Sequence, residues 1–229
     1  LSIGAGHLLH ILRRNVDVKI LLFNNQIYGL TKGQYSPTSE RGKRTKSTPM
    51  GSIDHPIDPV RFALGAGATF VARTVDVDAK HFQETLKRAA AHKGTALIEI
   101  YQNCPIYNDD AFVQLTDKKS RPDHGLYMEH GKPLVFGANQ EQGIRLSADF
   151  SPEVVSADDQ GILVYDETHP LLPEIVCAFR SPLPTPLGVF RAIERPTYET
   201  QLHAQLDEAK SKAPHSVQEM LEAGETWTV

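Results

Sequence analysis

Cysteine is scarce in this chain of 229 residues, which has only Cys104 and Cys177, and there is a single tryptophan. The two thiols lie far apart in sequence, and in a chain expected in the cytoplasm each is read as a reduced thiol or a metal ligand sooner than as half of a disulfide. No apolar run approaches the roughly 20 residues that a membrane span needs, and nothing at the start has the charged, apolar and small-residue regions of a secretory signal. A strong charge of one sign is also missing. A net charge of −4 with both signs interspersed gives no basic field for nucleic acid and no polybasic face for a membrane. There is no His/Cys zinc spacing, no Gly-x-Ser-x-Gly turn and no complete Gly-x-Gly-x-x-Gly. These absences leave a chain expected in the cytoplasm, with 40% hydrophobic residues, enough for one sizeable α/β core plus an appendage or for two small domains.

The pattern "SIGAGHLLHILRR", residues 2–14, predicts a helix closing on Arg13 and Arg14, cations that suit the negative end of a helix dipole. "VKILLFN", residues 18–24, is a continuous apolar run, as expected of a strand covered on both faces. Residues 33–58 read as a long loop, a length usual for functional segments. Asp58–Pro59 opens a second helix toward Gly65, and "TFVAR" is a strand. Asp78 caps a third helix that Gly94 ends, and "TALIEIYQ", residues 95–102, is a further strand. Helices alternating with strands predict a doubly wound, mostly parallel sheet. After about residue 110 the texture shifts to "GKPLVFG", "GIRLS" and "GILVYD", read as short strands, then "LLPEIVCAFRS", read as a helix with Pro182, Pro184 and Pro186 breaking the chain behind it. Residues 199–223 are polar with sparse apolar positions and predict helix on a neighbour's surface.

In open α/β sheets ligands bind beyond the carboxyl ends of the strands. Two polar features fall there: the amide pair Asn24–Asn25 and the thiol Cys104. Asparagines in that position ordinarily form turns, and a lone cysteine is ordinarily a small buried hydrophobe, so neither is decisive alone.

Five motifs in order decide between these readings: "LSIGAGH", "RRN", "LLFNNQIYGLTKGQYSPTS", "TPMGSIDHP" and "IYQNCPIYND". Together they resemble the β subunit of the thiamine diphosphate-dependent 2-oxoacid:ferredoxin oxidoreductases, most closely the 2-oxoglutarate-type branch. The likeness covers residues 1–115 and continues through "PTPLGVFRAIERP". It implies a thiamine diphosphate-binding α/β fold over residues 1–114 and a C-terminal extension of short strands and helices over 115–229 that covers a partner or a cluster. It also implies CoA-dependent oxidative decarboxylation of a 2-oxo acid, with electrons passed through a [4Fe–4S] cluster to ferredoxin, and an α subunit as partner.

By that resemblance Mg²⁺ takes the side-chain oxygen of Asn25 and the backbone oxygen of Ile27. Gly29, Leu30 and Thr31 wrap the cofactor, and Cys104 supplies one thiolate of the cluster. The acidic Gly-Asp-Gly element of the family is expected immediately before Leu1. The base that prepares the cofactor is expected on the partner subunit, so no catalytic residue is assigned. Lys32 is open between solvation and an anionic ligand, His7 and His55 are open between structure and site, and His10 and Cys177 are read as structural. The rival readings are the same chemistry on pyruvate or a broader range of 2-oxo acids, a noncatalytic α/β interaction subunit, and a plain dinucleotide-binding domain.

Overall fold

The computed structural model describes residues 2–212, 216–225 and 227. Leu1, the first residue of the "LSIGAGH" motif, lies outside them.

Helix α1, Ala5–Arg14, stops because Asn15 takes the left-handed conformation, φ 57° and ψ 46°. Asn15 is fully buried, and its Nδ2 donates to the carbonyl of Arg195 at 2.9 Å while its Oδ1 accepts from Thr69 Oγ1 at 2.7 Å and Thr95 N at 3.0 Å. One amide therefore fastens the end of α1 to the starts of two strands and to the C-terminal segment. Strand β1, Lys19–Asn24, follows, then a small hairpin of β2, Ile27–Tyr28, and β3, Gln34–Tyr35. Helix α2, Pro59–Gly65, starts at Asp58, whose side chain accepts from the amides of Val60 and Arg61. After it come β4, Phe70–Val75; α3, Ala79–Ala91, capped by Asp78; and β5, Ala96–Tyr101. The remainder holds α4, Val113–Thr116; α5, Arg121–His124; β6, Gly125–Met128; β7, Val135–Phe136; β8, Gln142–Leu146; β9, Pro152–Ser156; α6, Leu172–Val176; β10, Thr185–Ala192; α7, Tyr198–Lys212; and α8, Val217–Glu222.

The main sheet has the order β1-β5-β4-β10-β6 and is parallel except between β4 and β10. This is the mixed, mostly parallel α/β sheet that the alternation of elements predicts. One face buries Leu12, Val60, Leu64, Val71, Leu97 and Phe190, and the other carries Ala72, Ala89, Ile98, Ile100 and Val189 under α3. Each fully buried Leu, Ile or Phe contributes roughly 1.5–3 kcal/mol. A separate antiparallel sheet joins β7, β8 and β9.

Four expectations need correction. β1 is not covered on both faces: it is the edge of the sheet, and Leu21 and Phe23 are 44% and 52% exposed. "GILVYD" is no strand; it makes single bridges, Arg145 to Ile162 and Pro133 to Val164. The helix in "LLPEIVCAFRS" shortens to the five residues of α6. The proline-rich stretch after it leads into β10, an interior strand, and Pro186 is tolerated as its second residue, where a strand can spare an amide donor. The helices expected over 199–223 are α7 and α8, whose residues bury nothing.

Candidate functional site

Because β1, β5 and β4 are parallel, their carboxyl ends share one rim, and the polar side chains collect there. β1 ends in Asn24, which is buried. Its Nδ2 donates to Glu99 Oε1 at 2.7 Å, and its Oδ1 accepts from Thr38 Oγ1 at 2.7 Å and from Gln26 N at 3.1 Å. Asn25 Oδ1 accepts from Ile27 N at 3.2 Å. Two carboxamides bent back onto the following amides make a tight turn, and Gln26 completes it in the left-handed region at φ 55°. The Ser39 hydroxyl donates to the Gln26 carbonyl and pins the turn from outside. Asn25 and the buried Ile27 line a cleft of about 140 Å³ together with Phe23, Ser36 and Thr38.

Residues 29–33 form the tip of the β2–β3 hairpin. Leu30 is fully exposed, Thr31 is exposed with its hydroxyl 3.5 Å from the Tyr28 carbonyl, and exposed Lys32 has φ 66°. Gly33 has φ 92°, and a Cβ there would fall 2.8 Å from the Tyr107 ring, so only glycine lets the hairpin close on Tyr107. A Cβ on Gly29 would meet the same ring at 3.9 Å, ordinary contact.

Tyr107 belongs to the segment that carries Cys104, a half-buried free thiol. The Cys104 carbonyl accepts from Asn108 N at 2.9 Å. The Asn108 side chain donates from Nδ2 to the Asn25 carbonyl at 2.8 Å, and its Oδ1 accepts from Lys43 Nζ. The metal-ligand candidates Asn25 and Ile27 and the thiol Cys104 are thus brought to adjoining turns. Cys177 is elsewhere: it is fully buried beside α6, and burial pushes its thiol up to about 12, which agrees with its reading as core. His7 and His10 are exposed on α1, and His55 is exposed in the loop before α2.

Below the rim lies a buried charge network. Arg73 and Glu99 are register partners on β4 and β5, 2% and 1% exposed, and Arg73 Nε donates to Glu99 Oε2 at 2.7 Å. Arg73 Nη2 lies 3.3 Å from Asp58 Oδ1, and Arg180 pairs with the other oxygen of Asp58. The Arg73 guanidinium sits 5.2 Å from the Tyr101 ring centre and 5.3 Å from that of Phe190. Burial disfavours its charge, but Tyr101, Glu99 and Asp58 outweigh that and raise it above the ordinary guanidinium range. Burial likewise pushes the Asp58 carboxyl upward, and Arg73, the Arg61 amide and Arg180 more than reverse it, so it stays below the usual carboxylate range. Asn24, Arg73, Glu99 and Tyr101 line a polar cavity of about 340 Å³ together with Thr38, Arg180 and Thr185.

The donors on the 24–27 turn are neutral oxygens, the kind a hard divalent cation accepts without adding charge beside a phosphate. Among the described residues no group of three His, Cys, Asp or Glu side chains comes together to hold a metal unaided. The donor chemistry of the turn is compatible with Mg²⁺ beside a diphosphate, with the Asn25 side-chain oxygen accepting from the Ile27 amide here. Cys104 is a single thiol, where a four-thiolate cluster takes four.

Residues 1–100 match the family model described as thiamine pyrophosphate enzyme, C-terminal TPP binding domain. The whole chain is 48% identical, over 242 aligned residues, to the 2-oxoglutarate oxidoreductase subunit KorB of Mycobacterium tuberculosis, of which it covers 64%. The chain is thus similar to the β subunits of 2-oxoacid:ferredoxin oxidoreductases, and its first hundred residues match the thiamine pyrophosphate-binding domain. A β-subunit relative from Saccharolobus solfataricus, named for 2-oxoacid:ferredoxin oxidoreductase, is 47% identical over 52% of this chain and 39% of its own length. The solved 2-oxoglutarate:ferredoxin oxidoreductase of Magnetococcus marinus, with 2-oxoglutarate, coenzyme A and succinyl-CoA bound, superposes with a TM-score of 0.69 at 26% identity, over 97% of this chain and 62% of that one. The chain spans less than two thirds of the length of these relatives. The resemblance read from the five motifs is thereby borne out, and the relatives that carry it are named as oxidoreductases.

Sequence reasoning missed Asn108, Lys43 and the Arg73–Glu99 pair. The pair did leave a signal. "FVAR" and "ALIE" each carry a charge at the fourth position of an otherwise apolar interior strand, and buried charges of opposite sign at matching positions have to meet. Asn108 left none, since its value depends on a carbonyl 83 residues away.

Proposed function

We propose that this chain is the cofactor-holding part of the β subunit of a 2-oxoglutarate:ferredoxin oxidoreductase. In the proposed reaction a 2-oxo acid and CoA give acyl-CoA, CO₂, a proton and two electrons, which leave one at a time through a [4Fe–4S] cluster to ferredoxin. The observation that carries the reading is the join between the Asn25–Ile27 turn and the Cys104 turn, which sets a candidate metal clip beside a candidate cluster ligand.

Bound thiamine diphosphate supplies the electron sink for decarboxylation, chemistry that belongs to the cofactor. This chain's residues bind and orient it. Asn25 through its amide oxygen and Ile27 through its peptide oxygen would hold Mg²⁺. Gly29, Leu30 and Thr31 at the hairpin tip would cover the cofactor, with Leu30 toward the substrate, a position in keeping with its full exposure on this chain alone. Asn24 holds no ligand in this scheme; its three hydrogen bonds tie the turn to the Glu99–Arg73 floor. The α subunit is expected to contribute the base and to cover the apolar residues exposed around the rim, among them Met50, Ile53 and Ile106. We place the protein in the cytoplasm; no helix of the described residues is long and apolar enough to cross a membrane.

The test is anaerobic isolation of the full α/β complex with iron, sulfide and thiamine analysis, alongside Asn25→Leu and Cys104→Ser. Loss of thiamine from the first variant and of iron from the second supports the reading. Wild-type content of both in both variants removes it. Substrate profiling of the same complex then separates 2-oxoglutarate from pyruvate or a broad range of 2-oxo acids.

A further inference from the structure

The joining residue itself has no assigned purpose. Asn108 is buried, with 5% of its surface exposed, on the segment that follows Cys104. Its polar contacts join its own turn to two other pieces of chain: backbone N–H to the Cys104 carbonyl, side-chain Nδ2 to the Asn25 carbonyl at 2.8 Å, and side-chain Oδ1 from Lys43. Lys43 is in turn anchored, its Nζ 3.2 Å from Glu40 Oε1 and its backbone N–H donating to Ser52 Oγ, 3.2 Å away. A buried amide held at both ends of its carboxamide cannot rotate without leaving a donor or an acceptor unpaired.

The geometry points to Asn108 as a positioning residue that fixes the spacing between the Asn25–Ile27 metal clip and the Cys104 thiolate turn. It touches neither cofactor nor cluster. It acts by aiming the carbonyl of Asn25, whose side chain supplies one candidate oxygen and which lies two residues before the other, Ile27, while its own backbone holds the peptide of the thiolate donor. Partners that orient metal ligands in this way typically carry about 10–100-fold in metal affinity. The inference rests on the proposed function, from which it takes the metal and the cluster.

The experiment uses the α/β holoenzyme isolated anaerobically. Asn108→Asp is nearly isosteric and keeps the acceptor for Lys43, but it replaces the donor facing the Asn25 carbonyl with an oxygen. Tyr165→Phe is the structural control, since it removes a fully buried hydrogen bond, Tyr165 Oη to the Phe190 carbonyl at 2.6 Å, on the core side of the sheet. Three readouts are taken: the thermal midpoint, the Mg²⁺ concentration that half-saturates thiamine diphosphate uptake, and the electron paramagnetic resonance spectrum of the reduced cluster.

Asn108→Asp is expected to raise the half-saturating Mg²⁺ at least about tenfold and to shift the cluster spectrum. Tyr165→Phe is expected to lower the thermal midpoint and leave the other two unchanged. Unaltered Mg²⁺ dependence and spectrum in Asn108→Asp overturn the inference, as do equal shifts in both variants, which would mark a general loss of stability. A wild-type complex with no cluster or no Mg²⁺-dependent cofactor uptake defeats the proposed function itself, whereas a silent Asn108 in an intact holoenzyme defeats only the spacing claim.

Discussion

Arg73→Met tests whether the floor of the site is held by charge pairing or merely by packing. Methionine keeps the contact with Tyr101 and Phe190 but deletes the guanidinium, leaving Glu99, 1% exposed, with the Asn24 amide at 2.7 Å as its remaining partner. Stranding one half of a buried pair costs about 3–5 kcal/mol, because the survivor keeps its charge without compensation. For a chain of this size each kcal/mol moves the thermal midpoint by about 2–4 °C, so the drop is roughly 6–20 °C. The double variant Arg73→Met with Glu99→Gln removes the stranded charge and retains an acceptor for Asn24 Nδ2. It is expected to recover more than half of the loss. Thermal unfolding followed by circular dichroism reads all three proteins. A single variant within about 1 kcal/mol of wild type would refute the reasoning, since Glu99 would then be satisfied without Arg73. A double variant less stable than Arg73→Met alone would refute it equally.

Other expectations follow from single contacts. Gly33→Ala should cost about 1–3 kcal/mol in urea unfolding, because it combines φ 92° with a 2.8 Å approach to Tyr107, whereas Gly42→Ala, at φ 88° with open space around it, should cost less; equal costs would dismiss the Tyr107 contact. His81 is held below its ordinary value of 6.5 by burial, partly opposed by Asp78 and Glu84, so the folded state prefers the neutral ring. The stability this contributes is present above about 6.5, the unfolded value, and is lost as pH falls through the folded value. His81→Gln should flatten the fall in urea midpoint between pH 7.5 and 5.5, and an unchanged slope would exclude His81 as a source. Asp58, held below 3.8, behaves as a depressed carboxylate: its contribution is present above about 3.8 and disappears on further acidification, so Asp58→Asn should blunt acid unfolding below pH 4 as followed by circular dichroism.

Much of the first hundred residues was legible because local chemistry and tertiary structure agree there. Asp58–Pro59 and Asp78 are self-contained helix starts, and the interior strands β4 and β5 announce themselves as short apolar runs even though each carries one charge. The Asn24–Asn25 turn was legible for the same reason, since both side chains satisfy amides two residues on. β1 misled because an apolar run predicts burial on both faces, while Leu21 and Phe23 sit on an edge strand with no neighbour beyond it among the described residues. β10 was hidden by Pro184 and Pro186, which mimic a chain break yet fall before and at the second residue of the strand. The Asn108 bridge and the Arg73–Glu99 pair join positions 83 and 26 residues apart, so only the assembled sheet brings them together.

The placement of β10 has a consequence for synthesis. Phe70 in β4 has its antiparallel partner at Ala192, so β4 waits for more than a hundred further residues after its own synthesis before its second neighbour exists. Pairings this distant close slowly and leave an interior apolar strand open meanwhile. Translation arrested before residue 185 should thus yield a nascent chain that recruits chaperones through β4, and release from them should coincide with the appearance of Thr185–Ala192 outside the exit tunnel.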